Sequence, residues 1–318
     1  MTDLGNGPGA DPGIEPTVEP TVEPTVEPTV DPMSRLGFDG RVAIITGGGG
    51  GLGRSHAREL ARRGALLVIN DVGGSVDGTG VSETAAQRVV DEISAAGGEA
   101  VANYDTVATP EGDRAVVQAA LDAYGRVDIV INNAGILRDT SFKNMTPEQL
   151  EPVLDVHLKG AFYVTQPAWQ HMREQNYGRI VNTSSGAGLF GNFGQTNYGA
   201  AKMGLVGLTR VLAVEGARNN IVVNAIAPIA RTRMTEDLLG PLAEGLGPEF
   251  VTPVVAYLAH EECAVSGEVF SVGGGRVARV FIGVTAGYVK RDLTVEDGGD
   301  HLEEIRAETG YSVPANLT

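Results

Sequence analysis

Short apolar runs alternate with longer amphipathic ones along most of this chain. "VAIIT" (42–46), "ALLVIND" (65–71), "EAVANYD" (99–105), "VDIVINNAG" (127–135), "GRIVNTSS" (178–185), "IVVNAIAP" (221–228) and "GEVFSVGGG" (267–275) are rich in β-branched residues, and their apolar cores are continuous. Strands covered on both faces read this way, because neither side of a buried parallel sheet meets water. Between them, residues 54–64, 81–96, 110–124, 147–174 and 196–217 read as helices, and Gly64 suits the stop of the first. The alternation predicts one α/β domain over residues 36–275, a doubly wound parallel sheet with helices on both faces.

The two ends depart from this rhythm. Glu15 to Val30 is four copies of Glu-Pro-Thr-Val, and proline at every fourth position forbids a continuous helix. Residues 1–35 therefore read as a disordered acidic arm. Residues 276–318 open on "RVARVFIGVTAGYV" and turn polar, which predicts an extension that packs as a strand before fraying.

Charge narrows the function classes. The net charge is −16, and 14 of the 40 acids lie in residues 1–35 and 291–318, seven in each. An acidic chain lacks the basic surface that nucleic-acid binding requires, and no basic amphipathic helix suits a membrane surface. The 318 residues contain no apolar run long enough to span a bilayer and show no signal peptide. A single cysteine, Cys263, excludes an internal disulfide and suits the cytoplasm.

Candidate chemistry sits at the ends of the apolar runs. "TGGGGGLG" (46–53) links the first strand to the first helix, where free backbone N–H groups and the helix dipole can hold a pyrophosphate. Asp71 ends the second strand at the position where an acid binds the adenosine ribose hydroxyls and repels a 2′-phosphate. The cofactor expected is NAD. "NYGAAK" puts Tyr198 and Lys202 one helical turn apart, an arrangement in which an ammonium group favours the phenolate. Ser185 follows the strand "GRIVNT", placed to hydrogen-bond a substrate oxygen. "VLDVHLKGAF" (153–162) carries His157, which reads either as a satisfied core histidine or as a base.

Taken together, Thr46, Gly47, Gly51, Gly53, "NNAG" (132–135), Ser185, Tyr198 and Lys202 resemble the short-chain dehydrogenase/reductase pattern across most of residues 38–275. The resemblance implies a Rossmann-type fold, Tyr198 as general acid/base, Ser185 orienting the substrate oxygen, and Lys202 holding the nicotinamide ribose while lowering the tyrosine pKa. It places Gly47, Gly51, Leu52, Gly53, Ala134 and Gly135 around the cofactor, Asn133 near the nicotinamide ribose and Asp105 near the adenine. The family-wide Pro-Gly after the sixth strand is here Pro228-Ile229, and Ile229 is expected to offer its backbone to the carboxamide. At His157 the family usually has asparagine, whose main-chain carbonyl holds a water bonded to the lysine. The expectation is that position 157 serves through that carbonyl while the imidazole fixes local helix geometry.

A narrower resemblance rests on "NDVGG" (70–74), "ANYDTV" (102–107), "NNAGILRD" (132–139), "VHLKGAF" (156–162), "GNFGQTNYGAAK" (191–202), "IAP" (226–228) and "RMT" (233–235). These resemble the (3R)-hydroxyacyl-CoA dehydrogenase unit of the multifunctional β-oxidation enzymes, the 17β-hydroxysteroid dehydrogenase type 4 group. It implies an acyl-CoA substrate, some with a steroid-bearing acyl chain. A carrier-protein thioester reductase, a dehydrogenase of free steroids or alcohols, and a non-catalytic NAD-binding scaffold stay open as alternatives. By the same analogy the helices at 147–174 and 196–217 pair with a second subunit, giving a homodimer or homotetramer.

Other features carry plainer readings. "AHEEC" (259–263) lacks a second ligand at metal spacing, so no metal is expected. His56 and His171 read as helix-surface residues and His301 as part of the polar tail. Lys143 and Lys159 suit either a CoA phosphate or a charged helix face. "GGSVDGTG" (73–80) reads first as a flexible surface loop, with a flap near the adenosine as the other reading. The short stretch between Arg233 and Pro253 suggests an open site for a bulky acyl group.

Overall fold

In the computed structural model, the residues described are 36–80, 82, 84–232 and 245–314. The Glu-Pro-Thr-Val arm and most of the stretch after Arg233 lie outside them. An eight-stranded sheet forms in the order β3-β2-β1-β4-β5-β6-β7-β8. Its strands are β1 Val42–Thr46, β2 Leu66–Asn70, β3 Glu99–Asn103, β4 Ile129–Asn132, β5 Gly178–Thr183, β6 Ile221–Pro228, β7 Val269–Gly273 and β8 Arg276–Val280. The first seven are parallel and β8 is antiparallel to β7. Gly274 and Gly275, both at positive φ, make the two-residue turn between β7 and β8.

Strand residues feed two cores, one per face, as the continuous apolar runs require. Ala43 and Ile45 pack with α1 (Gly51–Arg62), α2 (Thr84–Ala95) and Val255 and Leu258 of α8 (Thr252–Ala259). Val42 and Ile44 face the other way, onto α3 (Pro110–Tyr124) and α5 (Gly160–Glu174). The order reverses between β1 and β4, and a switch point of this kind opens a crevice at the carboxyl ends of the strands. Thr46, Asn70, Asn132 and Thr183 all end strands there.

Three local features differ from the sequence reading. The stretch 147–174 is α4 (Pro147–Leu154), a widened π-type turn (Asp155–Lys159) and α5. His56 lies inside the α1–α8 contact, fully buried, with Nδ1 2.8 Å from the Thr252 hydroxyl. Burial lowers its pKa to about 3, so it is a neutral packing residue and no surface histidine. Beyond β8 the chain does not simply fray. Val284 and Ser312 exchange backbone hydrogen bonds, and Tyr288 stacks on His301 with ring centres 3.8 Å apart.

Candidate active site

A cavity of about 470 Å³ opens at the switch point. One wall is the β1–α1 turn. Gly47 has φ +62° and sits so close to Ala134 that a Cβ would lie 2.8 Å from its Cα; Gly53 packs directly on the Gly47 carbonyl. The turn is drawn tight by Asn133, whose side chain donates to the Thr46 and Gly47 carbonyls at 3.0 and 3.1 Å. The Thr46 hydroxyl accepts from the N–H groups of Asn133 and Ala134 in return. Gly50, the residue before α1, gives that helix no side-chain cap, and Gly50, Gly51 and Leu52 line the cavity. Uncapped N–H groups at a helix start fit a pyrophosphate.

At the next strand end Asp71 faces the same cavity. Its carboxylate accepts from the Gly49 N–H at 2.9 Å and the Gly73 N–H at 2.7 Å, which fixes it beside the glycine turn. Asp105 is brought close but not onto the lining; it is exposed and accepts from Asn103 at 2.7 Å. Pro228 lines the cavity. Ile229 does not, and its N–H is committed to the Val272 carbonyl at 2.7 Å, so only its carbonyl is left to offer.

The opposite wall carries the acid/base groups. Ser185, just past β5, caps the short α6 (Gly186–Phe190) by accepting from the Ala187 N–H at 3.1 Å, and it lines the cavity with Tyr198. Tyr198 and Lys202 share one face of α7 (Thr196–Gly216), with Lys202 Nζ 5.5 Å from the tyrosine ring centre. Burial raises the Tyr198 pKa above its ordinary value, opposed by the Ser185 hydrogen bond and reinforced by Asp139. The lowering expected from Lys202 is absent here, and burial brings Lys202 itself down to about 7. The ammonium group donates to the Thr183 carbonyl at 2.5 Å.

His157 is buried between these groups. Its Nε2 lies 3.0 Å from Ile136 N and 2.8 Å from Ile136 O, its ring meets Tyr198 edge-on, and it packs against Gly135. The imidazole therefore fixes the β4–α4 segment as much as its own helix. Burial and the Lys202 charge hold its pKa well below the ordinary value. Behind it lies a second cavity of about 10 Å³ lined by Asn132, His157 and Lys202 among others, the size of one water. Asn132 Oδ1 and His157 Nδ1 beside it, and Thr183 Oγ1 on the larger cavity, are buried without a hydrogen-bond partner among the described residues.

Sequence reasoning did not single out Asn132 beyond its motif, nor Asn182. Asn132 Nδ2 donates to Asn182 at 2.9 Å and to Thr165 at 3.0 Å, and Asn182 donates to Thr209. The signal was present, since β2, β3 and β4 end in asparagine and β5 carries one beside its last residue. The Gly73–Gly80 loop also lines the cavity, through Gly74, Ser75, Val76 and Gly78, which favours the flap over the free surface loop. His260 is engaged by backbone on both nitrogens, the Gly37 carbonyl at 3.0 Å and the Glu262 N–H at 3.1 Å. Lys159 pairs with Asp155 at 2.7 Å on a charged helix face.

Residues 41–240 match the family model described as short chain dehydrogenase. A short-chain type dehydrogenase/reductase of Mycobacterium tuberculosis (strain ATCC 25618 / H37Rv) is 57% identical over 279 residues, 87% of this chain and 98% of that protein. A hydroxyacyl-CoA dehydrogenase of the same organism is 42% identical over 260 residues, 76% of this chain and 80% of its own length. The structure of full-length peroxisomal multifunctional enzyme type 2 from Drosophila melanogaster superposes with a TM-score of 0.75 at 39% identity. That match covers 89% of this chain and 48% of the insect enzyme, so the chain spans about half of that relative.

Proposed function

This chain belongs to the short-chain dehydrogenase/reductase family, and we propose that it oxidises a (3R)-hydroxyacyl-CoA to the 3-oxoacyl-CoA with NAD, the acyl group being bulky enough to include a steroid-bearing chain. The observation that carries this reading is the meeting of an uncapped helix start, the Asp71 carboxylate and the Ser185–Tyr198–Lys202 trio in one cavity. The likeness to a hydroxyacyl-CoA dehydrogenase and to a peroxisomal multifunctional enzyme supports the substrate class.

The glycine turn and the α1 start would hold the pyrophosphate, and Asp71 the adenosine ribose. A bound nicotinamide supplies the acceptor for the hydride leaving the carbinol carbon. Tyr198, as phenolate, takes the hydroxyl proton while the Ser185 hydroxyl holds the same substrate oxygen in line. Lys202 then carries the proton from Tyr198 toward the small cavity, which His157 also lines and where its main-chain carbonyl would hold a relaying water. Asp71 favours NAD, because its charge repels a 2′-phosphate. The single buried cysteine, Cys263, suits a reducing cytoplasm. Phe162 on α5 and Met203, Val211 and Val214 on α7 are exposed apolar residues, and we assign that face to the homodimer or homotetramer contact. Among the described residues no helix is long and apolar enough to cross a membrane.

The test offers NAD and NADP with (3R)- and (3S)-hydroxyacyl-CoA esters, straight-chain and steroid side-chain, and follows formation of reduced dinucleotide. Turnover is expected with NAD and the 3R esters; activity confined to free alcohols would overturn the CoA assignment. One observation favours a second reading, a carrier-protein thioester reductase using NADPH. The Arg88 guanidinium donates to the Gly49 carbonyl at 3.1 Å, which puts a cation on the rim that also holds Asp71. A clear preference for NADPH and carrier-protein thioesters would select it.

A further inference from the structure

Between Asp71 and α2 the chain forms a compact turn built around one carboxylate. Asp77 accepts from the Ser75 hydroxyl at 2.5 Å, the Thr79 N–H at 3.1 Å and the Thr79 hydroxyl at 2.8 Å. The Ser75 N–H closes the turn on the Thr79 carbonyl at 2.9 Å. Hydrogen bonds inside the turn therefore fix its shape without help from its surroundings.

Its attachment to the body is a separate matter and comes from two neighbouring residues. The Leu137 N–H donates to the Val76 carbonyl at 2.9 Å, and Arg138 Nε donates to the Asp77 carbonyl at 2.9 Å. Arg138 also reaches the first turn of α4, where Nη1 donates to the Glu148 carbonyl at 2.5 Å. Its own carbonyl accepts from Asn197 at 3.0 Å, and Asn197 in turn accepts the Tyr198 N–H at 2.8 Å. One arginine thus joins the loop beyond Asp71, the start of α4 and the residue before the catalytic tyrosine.

We propose that Arg138 is a positioning residue that seats the Ser75–Thr79 turn as a roof over the dinucleotide half of the cavity. The proposal rests on the reading that this cavity takes a nicotinamide dinucleotide. Three observations carry it. Gly74, Ser75, Val76 and Gly78 line the cavity together with Asp71, Ile136, Leu137 and Arg138, and Gly78 lies against the Ile136 side chain. The guanidinium is held by two carbonyls, those of Asp77 and Glu148, and among the described residues by no carboxylate. Among the described residues, Arg138 and Lys202 are the cationic residues that line the cavity, which suits a doubly anionic ligand.

The experiment measures NADH binding to the full chain by titration calorimetry and amide exchange over residues 76–79. Arg138→Ala is expected to weaken binding about tenfold and to speed exchange of those amides. The KM for NAD should rise in step while kcat falls less than about threefold. Arg138→Lys should recover part of the affinity, because one donor still reaches a carbonyl. Asp77→Ala loosens the turn from outside the cavity and should shift affinity in the same direction, which keeps the test alive if the arginine variants fold poorly. Wild-type protein that binds NADH, with Arg138→Ala unchanged in both affinity and exchange, overturns the inference alone. Wild-type protein that binds neither NADH nor NADPH overturns the functional reading and the inference with it.

Discussion

Both ends of the parallel sheet bury charged groups, and they treat them in opposite ways. At the amino ends Asp128, fully buried, takes the Val42 N–H at 2.9 Å and a two-pronged contact from Arg126 at 2.7 Å. Arg179 donates to the carbonyls of Gly178, Asn220, His260 and Glu261, and lies over the Tyr177 ring. At the carboxyl ends Lys202 donates to the Thr183 carbonyl, and among the described residues Asn132 Oδ1, His157 Nδ1 and Thr183 Oγ1 have no partner. A buried charge whose hydrogen bonds are complete holds strands in place. A buried charge left short of partners beside a cavity is poised for a ligand or a proton. The first end holds the fold together, and the second is where the proposed function puts the chemistry.

The largest effect should come from the chemical end. Tyr198→Phe removes the proton acceptor and keeps the ring, so kcat should fall by about a thousandfold or more. Thermal stability and dinucleotide binding should stay close to wild type, since the ring keeps its edge-on contact with His157. Turnover that survives the change would remove Tyr198 from the mechanism and erase the contrast between the two ends.

A smaller effect of the opposite kind is expected at the amino ends. Asp128→Ala leaves the Val42 N–H buried without an acceptor and strips Arg126 of its partner, which should destabilise the fold by about 3 kcal/mol. Denaturant unfolding reads that loss, and KM and kcat per folded molecule should not move. A stable variant with altered kinetics would show that the cluster communicates with the cavity.

What was legible from the sequence follows the same division. The strand–helix alternation depends on local periodicity and appears where expected, and the Ser185, Tyr198 and Lys202 motif comes together on one cavity. His56 read as a surface residue because the face it occupies is buried only by α8, nearly two hundred residues later. The Gly73–Gly80 loop read as free because its two attachments come from Leu137 and Arg138, remote in sequence. The helical reading of 147–174 did not show the π-type turn at Asp155–Lys159, because the segments on both sides of it are helical.

His157 is the residue on which the contrast is sharpest, and it sets the smallest of the expected effects. It is buried at the chemical end, with one nitrogen satisfied by Ile136 and the other without a partner. Its folded pKa is lowered from 6.5 by burial and by Lys202, so near that pH an unfolded chain takes up a proton and the folded one does not. Stability linked to His157 is thus present at neutral pH and is lost as pH falls below 6.5. For the same reason the imidazole stays neutral during turnover and gives no limb near neutrality. On the proposed mechanism the pH limb of alcohol oxidation would belong to Tyr198, and its raised pKa predicts a rate that climbs toward alkaline pH as the phenolate forms. If position 157 serves through its carbonyl, His157→Asn should keep kcat within about tenfold of wild type and leave that alkaline limb in place. A hundredfold collapse with the fold intact would instead mean that the imidazole relays the proton from Lys202, which would make it a chemical group.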